Sequence, residues 1–207
     1  MTKYEYVTVP LLTHVTKQIL DTWGSDGWEL IQVGPAPGST DQLVAYMKRE
    51  LALMAHEKVK AKLAELGLEL PVAAAPVAAY LPAIKNDKLV FTAGQLPTVN
   101  GGISKVGKVG SDVTPEEGRD LAQICALNVL AALSLVCDLD DVVQVVKIVG
   151  FVNAAPGFTG LPVVVNGASE LFLHVFGEAG RAARSSVGVA ELPLNAPVEV
   201  EAVVALR

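Results

Sequence analysis

Cysteine is nearly missing from this 207-residue chain: it has 2, Cys125 and Cys137, with no metal-ligand pattern around them. That excludes a disulfide framework and reads as buried free thiols in a reducing compartment. Histidine is equally scarce, at 3 residues. No persuasive metal-ligand or nucleophile–base constellation stands out, so no metal site is expected. Basic charge is outnumbered, with 16 Lys and Arg against 22 Asp and Glu for a net charge of −6. No Lys/Arg cluster stands out, which argues against nucleic acid as a partner. Long apolar runs are absent too: Pro and Gly break them before the roughly 18 residues of a membrane span, and no membrane partner is expected. The opening Met1-Thr2-Lys3-Tyr4-Glu5-Tyr6 lacks the basic and apolar regions of a signal peptide, so the expected location is cytoplasmic.

What is plentiful is apolar side chain, 51% of residues against 18% charged. A length of 207 residues fits one to two domains with a real core. Apolar surface beyond the needs of that core suggests burial between subunits, because obligate interfaces resemble a core cut in half.

Residues 1–50 read as a small β-α-β-β module. Strands are expected over Tyr4–Val9, Trp28–Val33 and Gln42–Lys48, a helix over Thr13–Trp23, and a turn at Gly34-Pro35-Ala36-Pro37-Gly38. Tyr4-Glu5-Tyr6, Gly27-Trp28-Glu29-Leu30 and Lys48-Arg49 resemble a small bacterial domain family of unknown function. They carry no evident chemistry, and His14 and Trp28 read first as surface or core residues. A composition break near Glu50 also marks Met54 as a candidate internal start.

From residue 54 to 207 a second domain is expected. The spacing of Ala55, Val59, Leu63 and Leu66 predicts a helix within Leu51–Leu68, followed by a Pro71–Ala79 linker or extended edge. A strand over Lys88–Ala93 leads into Gly94-Gln95-Leu96-Pro97 and a Gly-rich loop from Asn100 to Gly110, which lacks a phosphate-binding context. Thr114-Pro115-Glu116-Glu117 predicts a capped helix running to about Val136. Val142–Val152 reads as a strand buried on both faces, and Pro162–Phe176 as a second long helix. Two C-terminal strands complete an α+β fold, with two helices against a mixed or antiparallel sheet.

Those last strands hold the candidate chemistry. In Ala183–Val189, Arg184, Ser186 and Gly188 share one face; in Val198–Leu206, Glu199 and Glu201 share the face opposite the valines. A guanidinium and carboxylates above small side chains suggest a floor for a small anion. Pairing the two runs as a simple hairpin would leave Arg184 and Glu199 roughly 13 Å apart, at about 3.3 Å per residue. A bulge or a neighbouring subunit would then have to join them.

Tyr80, Thr92-Ala93-Gly94-Gln95-Leu96-Pro97, Asn166, Ala183-Arg184-Ser185 and Val198-Glu199-Val200-Glu201, in this order, resemble the RidA (YjgF) family of enamine/imine deaminases. The match runs from about Met54 to Leu206, with Gly150-Phe151-Val152-Asn153 and the end of the Val187–Pro193 segment pointing to a divergent branch. The resemblance implies a chorismate-mutase-like fold, a homotrimer with clefts between subunits, no cofactor, and a small carboxylate-bearing substrate such as 2-aminoacrylate. It implies that Arg184 binds the substrate carboxylate, Glu199 positions or activates water, and Tyr80, Gly94 and Asn166 line the pocket. Ala93 stands where the family often has serine, and Ser186 where it often has cysteine.

Each residue has a plainer reading. Arg184 could be a structural ion-pair partner, Tyr80 a packed aromatic, Asn166 a satisfier of backbone groups, and His174 a surface or core residue. Two other functions stay open beside the deaminase: a non-catalytic small-molecule binder or regulator, which the Ala93 substitution favours, and an endoribonuclease or translation inhibitor, which the acidic charge disfavours.

Overall fold

The computed structural model describes residues 4–12, 14–25, 27–38, 42–50, 56–73 and 79–207. They fall into two units, residues 1–53 and 54–207. In the first, β1 (Tyr4–Leu11), α1 (Thr16–Ser25), β2 (Glu29–Pro35) and β3 (Leu43–Glu50) make an antiparallel sheet of order β1-β3-β2 with one helix. Its core is small: Val9, Leu11, Ala45 and Met47, with Ile19, Leu20, Trp23 and Trp28 packed on it. The motif residues of this unit meet one another. Arg49 lies over the Trp28 ring at 4.7 Å and Lys48 over Tyr4 at 4.8 Å, while Trp23 meets Trp28 edge to face at 5.5 Å. They hold the module together, and His14 is exposed.

The second unit opens with α2 (Glu57–Glu65), shorter than the sequence spacing suggests. The Asp140 carboxylate accepts from the Lys58 and Val59 amides at 3.0 and 3.1 Å, fixing the helix start just after a left-handed His56. Val59 and Leu63 are buried, Leu66 is exposed beyond the helix end, and Leu51–Ala55, Met54 included, lie outside the described residues. So does 74–78 of the expected linker.

The single strand expected over Lys88–Ala93 is the second half of a hairpin, β4 (Ala83–Asn86) and β5 (Leu89–Thr92), turning at Asp87 with φ 55°. β6 (Thr98–Val99), just before the expected loop, and β7 (Gly102–Ile103), inside it, form a two-residue ladder. Then come α3 (Pro115–Leu133), β8 (Val142–Asn153), α4 (Leu161–Phe176), β9 (Ala183–Val189) and β10 (Val198–Leu206). At the start of α3, Thr114 Oγ1 accepts from the Glu117 amide at 3.2 Å and Glu117 accepts from the Thr114 amide at 2.8 Å, the capping box the sequence predicts.

The five-stranded sheet has the order β4-β5-β10-β8-β9, antiparallel except for the parallel β8–β9 pair. α3 and α4 pack on each other at Gly167, where a Cβ would lie 1.9 Å from the Arg119 carbonyl oxygen. Beneath them Val200, Ala202, Val204, Ile148 and Val152 join Leu130, Leu171 and Phe172 in one core. Phe172 is the largest fully buried side chain among the described residues, and truncating such a residue to alanine costs about 3–5 kcal/mol.

Two expectations need correction. β9 and β10 are not a hairpin, because β8 lies between them and pairs with both. Nor is β8 covered on both faces within one chain: Val143 and Val146 are exposed while Val145, Ile148 and Val152 are buried. The helices cover only one side of the sheet.

Candidate functional site

The register decides where each side chain points. Arg184 pairs with Ile148, which pairs with Ala202, and both neighbours are buried on the helix-covered face. At the edge of that face the Arg184 Nη1 donates to Asn166 Oδ1 at 2.8 Å and to Ser169 Oγ at 3.0 Å, and Nη2 donates to the Pro162 carbonyl at 3.4 Å. All three acceptors belong to α4. A guanidinium has five N–H donors, so two remain after these bonds, enough for one carboxylate. Arg184 also lines a shallow groove of about 390 Å³ with Ser169, Leu173, Arg181 and Ala182. Asn166 therefore serves the arginine rather than the backbone. Ser169, which the sequence reading missed, stands one turn from Asn166 on the same helix face, and that i,i+3 spacing was the available signal.

Glu199 lies elsewhere. It pairs with Phe151, and Phe151 with Val187, on the face the helices leave open; Glu201 follows on the same face opposite Val149. Arg184 and Glu199 are thus offset by three residues along the strands and two strand spacings across. At about 3.3 and 4.8 Å per step their Cα atoms are roughly 14 Å apart, with side chains on opposite sides. The shared floor expected from the sequence does not exist within one chain, because the register through β8 sets Glu199 level with Val187 and not with Gly188.

Gly94 does meet Glu199. A Cβ on Gly94 would lie 1.7 Å from Glu199 Oε1, so only glycine allows this approach. The Gln95 amide donates to the Val200 carbonyl at 2.8 Å and the Val200 amide to the Gln95 carbonyl at 3.0 Å, which locks the segment to β10. Burial pushes the Glu199 carboxyl above its ordinary range, and Glu201 beside it adds to the effect. A half-buried carboxylate with a raised pKa is a better proton acceptor than an exposed one.

Tyr80 is exposed, and among the described residues no hydrogen bond or ring contact joins it to Arg184, Gly94 or Glu199. The Ser186 hydroxyl is buried without a hydrogen-bond partner among the described residues, on the same strand face as Arg184. Burial pushes the Cys137 thiol up to about 11 and holds that of Cys125 well above its ordinary value, so neither is poised as a nucleophile. His174 Nε2 lies 3.0 Å from the Lys62 carbonyl and joins α4 to α2. Among the described residues no three His, Cys, Asp or Glu side chains gather as a metal site, and no helix is long and apolar enough to cross a membrane.

Residues 60–205 match the family model described as "YjgF/chorismate_mutase-like, putative endoribonuclease". The chain is 44% identical to protein TCP17 of Trypanosoma cruzi, over 76% of this chain and 99% of that one. It is 29% identical to a 2-iminobutanoate/2-iminopropanoate deaminase of Dermatophagoides farinae, over 68% of this chain and 95% of that protein. Among solved structures, Atu1372 of Agrobacterium tumefaciens, of unknown function, superposes with a TM-score of 0.69 at 41% identity, covering 73% of this chain and 94% of that one.

Proposed function

This chain belongs to the YjgF/chorismate mutase-like family, and on that premise we propose that it hydrolyses reactive 2-imino and 2-enamino acids, such as 2-aminoacrylate, to 2-keto acids and ammonia. The observation that carries the reading is the Arg184 guanidinium, held on α4 by Asn166 and Ser169 with two donors unspent among the described residues. They would clasp the substrate carboxylate side by side and fix the adjacent C=N carbon. The enamine first takes a proton at its terminal carbon to become the imine. Water then attacks the C=N carbon, its oxygen bonding there while the π pair moves to nitrogen. Glu199 accepts the water proton, a contribution of about 10²–10⁴-fold. Glu199 passes that proton to the nitrogen, then carries the hydroxyl proton of the carbinolamine to the same nitrogen, so that the C–N bond breaks, ammonia departs with the bonding pair, and the C=O forms with the carboxylate restored. Tyr80 is assigned to the wall of the same pocket.

Arg184 and Glu199 act on one substrate only if a second copy brings its Glu199 to the first copy's Arg184. The open sheet face supports such an assembly: Ile84, Leu89, Phe91 and Val187 are exposed on it, an apolar patch suited to another subunit. We assign a homotrimer with clefts between subunits, in the cytoplasm. Residues 1–50 are assigned as an appended module of separate role, and residues 54–207 as the catalytic domain.

The test is ammonia and keto-acid release from 2-aminoacrylate generated in the assay. The wild type is expected to be at least tenfold faster than Arg184→Ala. Equal rates would eliminate the enzyme reading and leave a ligand-binding protein. The word endoribonuclease in the family description is checked by RNA cleavage, for which a net charge of −6 is poorly suited.

A further inference from the structure

Among the described residues nothing donates a hydrogen bond to the Glu199 carboxylate, yet it is packed against Gly94 and half-buried. Its surroundings therefore depend on what holds the 93–98 segment down. Ala93 is tied to Pro82 and Pro97 to Ser104, and the Gln95–Val200 bridge holds the segment to β10. Its tie to the helices comes from α3. Asn128 Nδ2 donates to the Leu96 carbonyl at 2.9 Å, the Thr98 carbonyl at 3.1 Å and Thr98 Oγ1 at 3.0 Å. Two N–H donors serve three acceptors, on a helix whose neighbouring positions Cys125, Ala126, Leu127 and Val129 are buried and apolar. A lone carboxamide there has a specific task.

We infer that Asn128 is a positioning residue for Glu199: by hanging Leu96–Thr98 on α3 it keeps Gly94 pressed against the carboxylate and water partly excluded from it. Only the effect on rate rests on the deaminase reading; the effect on Glu199 does not. Without Asn128 the segment keeps its bonds to Val200, Pro82 and Ser104 but loses its tie to α3 at Leu96 and Thr98, and Glu199 hydrates. The other charged or titratable groups near Glu199 are Glu201 beside it on β10, Cys125 on α3, and Lys147 on β8, two residues before Val149 on the open face. The 93–98 segment carries none.

The experiment is a carboxyl ¹³C NMR titration of full-length wild type, Asn128→Ala and Asn128→Gln, with deamination measured across pH on the same samples. Asn128→Ala is expected to move the Glu199 midpoint down toward 4.5, lower the rate about tenfold and shift the acid limb the same way, with KM little changed. Asn128→Gln, which keeps the carboxamide, is expected to recover part of each. Should Asn128→Ala not fold, Thr98→Val removes one acceptor and is expected to give a smaller shift of the same sign. A Glu199 midpoint unmoved in every folded variant overturns the inference. A midpoint that moves in a protein without deaminase activity upholds it and removes the proposed reaction instead.

Discussion

Arg184 and Glu199 project from opposite faces of one sheet, with β8 between their strands. If they share a substrate, each cleft takes its arginine from one copy and its glutamate from the next. Arg184→Ala and Glu199→Gln should then each be inactive alone, yet recover activity when subunits are exchanged. With random mixing at equal amounts, half the copies carry each intact residue, so about a quarter of the clefts are complete. Activity near a quarter of wild type after mild denaturation and co-refolding is the expected result. No recovery from a mixed oligomer would show that the two residues do not share a substrate across an interface.

The approach of Gly94 to Glu199 makes a second prediction. Gly94→Ala puts a methyl group where Oε1 now sits, and the carboxylate, as the flexible tip of a long side chain, must move. The deamination rate should fall by about 10²-fold or more, within the range for general base catalysis. Far-ultraviolet circular dichroism and oligomer size should stay as in the wild type. Full activity in Gly94→Ala would show that the contact has no part in the chemistry.

Much of this was legible in the sequence because local rules govern it. The Thr114–Glu117 capping box sets the start of α3 wherever the helix packs, and the alternation in Val198–Leu206 shows which side of β10 is buried. Strand neighbours were not legible. Nothing local in Ala183–Val189 says that it pairs in parallel with β8 rather than antiparallel with β10; α4 makes that connection, and it depends on tertiary packing. The error carried straight into the site, since the strand between decides which faces Arg184 and Glu199 share. Ser169 and Asn128 were missed for a related reason. Each is a polar residue on a largely apolar helix, and its partners lie 15 and at least 30 residues away.

Asn166 and Ser169 divide one guanidinium nitrogen between them. Removing either acceptor should loosen Arg184 without removing its charge, so substrate binding should weaken more than turnover. Hydrogen bonds to charged groups contribute about 1.5–3 kcal/mol, discounted here because Arg184 is partly solvated. An increase in KM of about 3–10-fold is expected for Asn166→Ala or Ser169→Ala, with a larger one for the double variant. Steady-state kinetics decide it: a fall in kcat at constant KM would reject the clamp role.

Because burial and Glu201 raise the Glu199 pKa in the folded protein, folding favours its protonated form. The contribution of this group to stability is therefore complete below its ordinary value of 4.5 and is lost as pH rises through the higher folded value. Glu199→Gln, neutral at every pH, should accordingly melt above the wild type at pH 7 and converge with it near pH 4. Thermal melts across that range read the sign directly. The same variant should lose about 10²–10⁴-fold in activity, trading function for stability at one position.

His56 offers a prediction away from the cleft. Its Nδ1 lies 3.0 Å from the amide of fully buried Leu139 and 3.1 Å from Asp138 Oδ1. Neutral at Nδ1 it accepts from that amide; protonated there it donates to the carboxylate. Either way it ties the start of α2 to the turn before β8. In His56→Ala the Leu139 N–H is left buried without this acceptor, at a cost of about 1–3 kcal/mol. That corresponds to a melting point lower by roughly 2–4 °C per kcal/mol for a chain of this size. His56→Gln, whose side-chain oxygen can accept from the same amide, should restore part of the loss. If alanine and glutamine destabilise equally, the ring's packing rather than its hydrogen bond holds α2 in place.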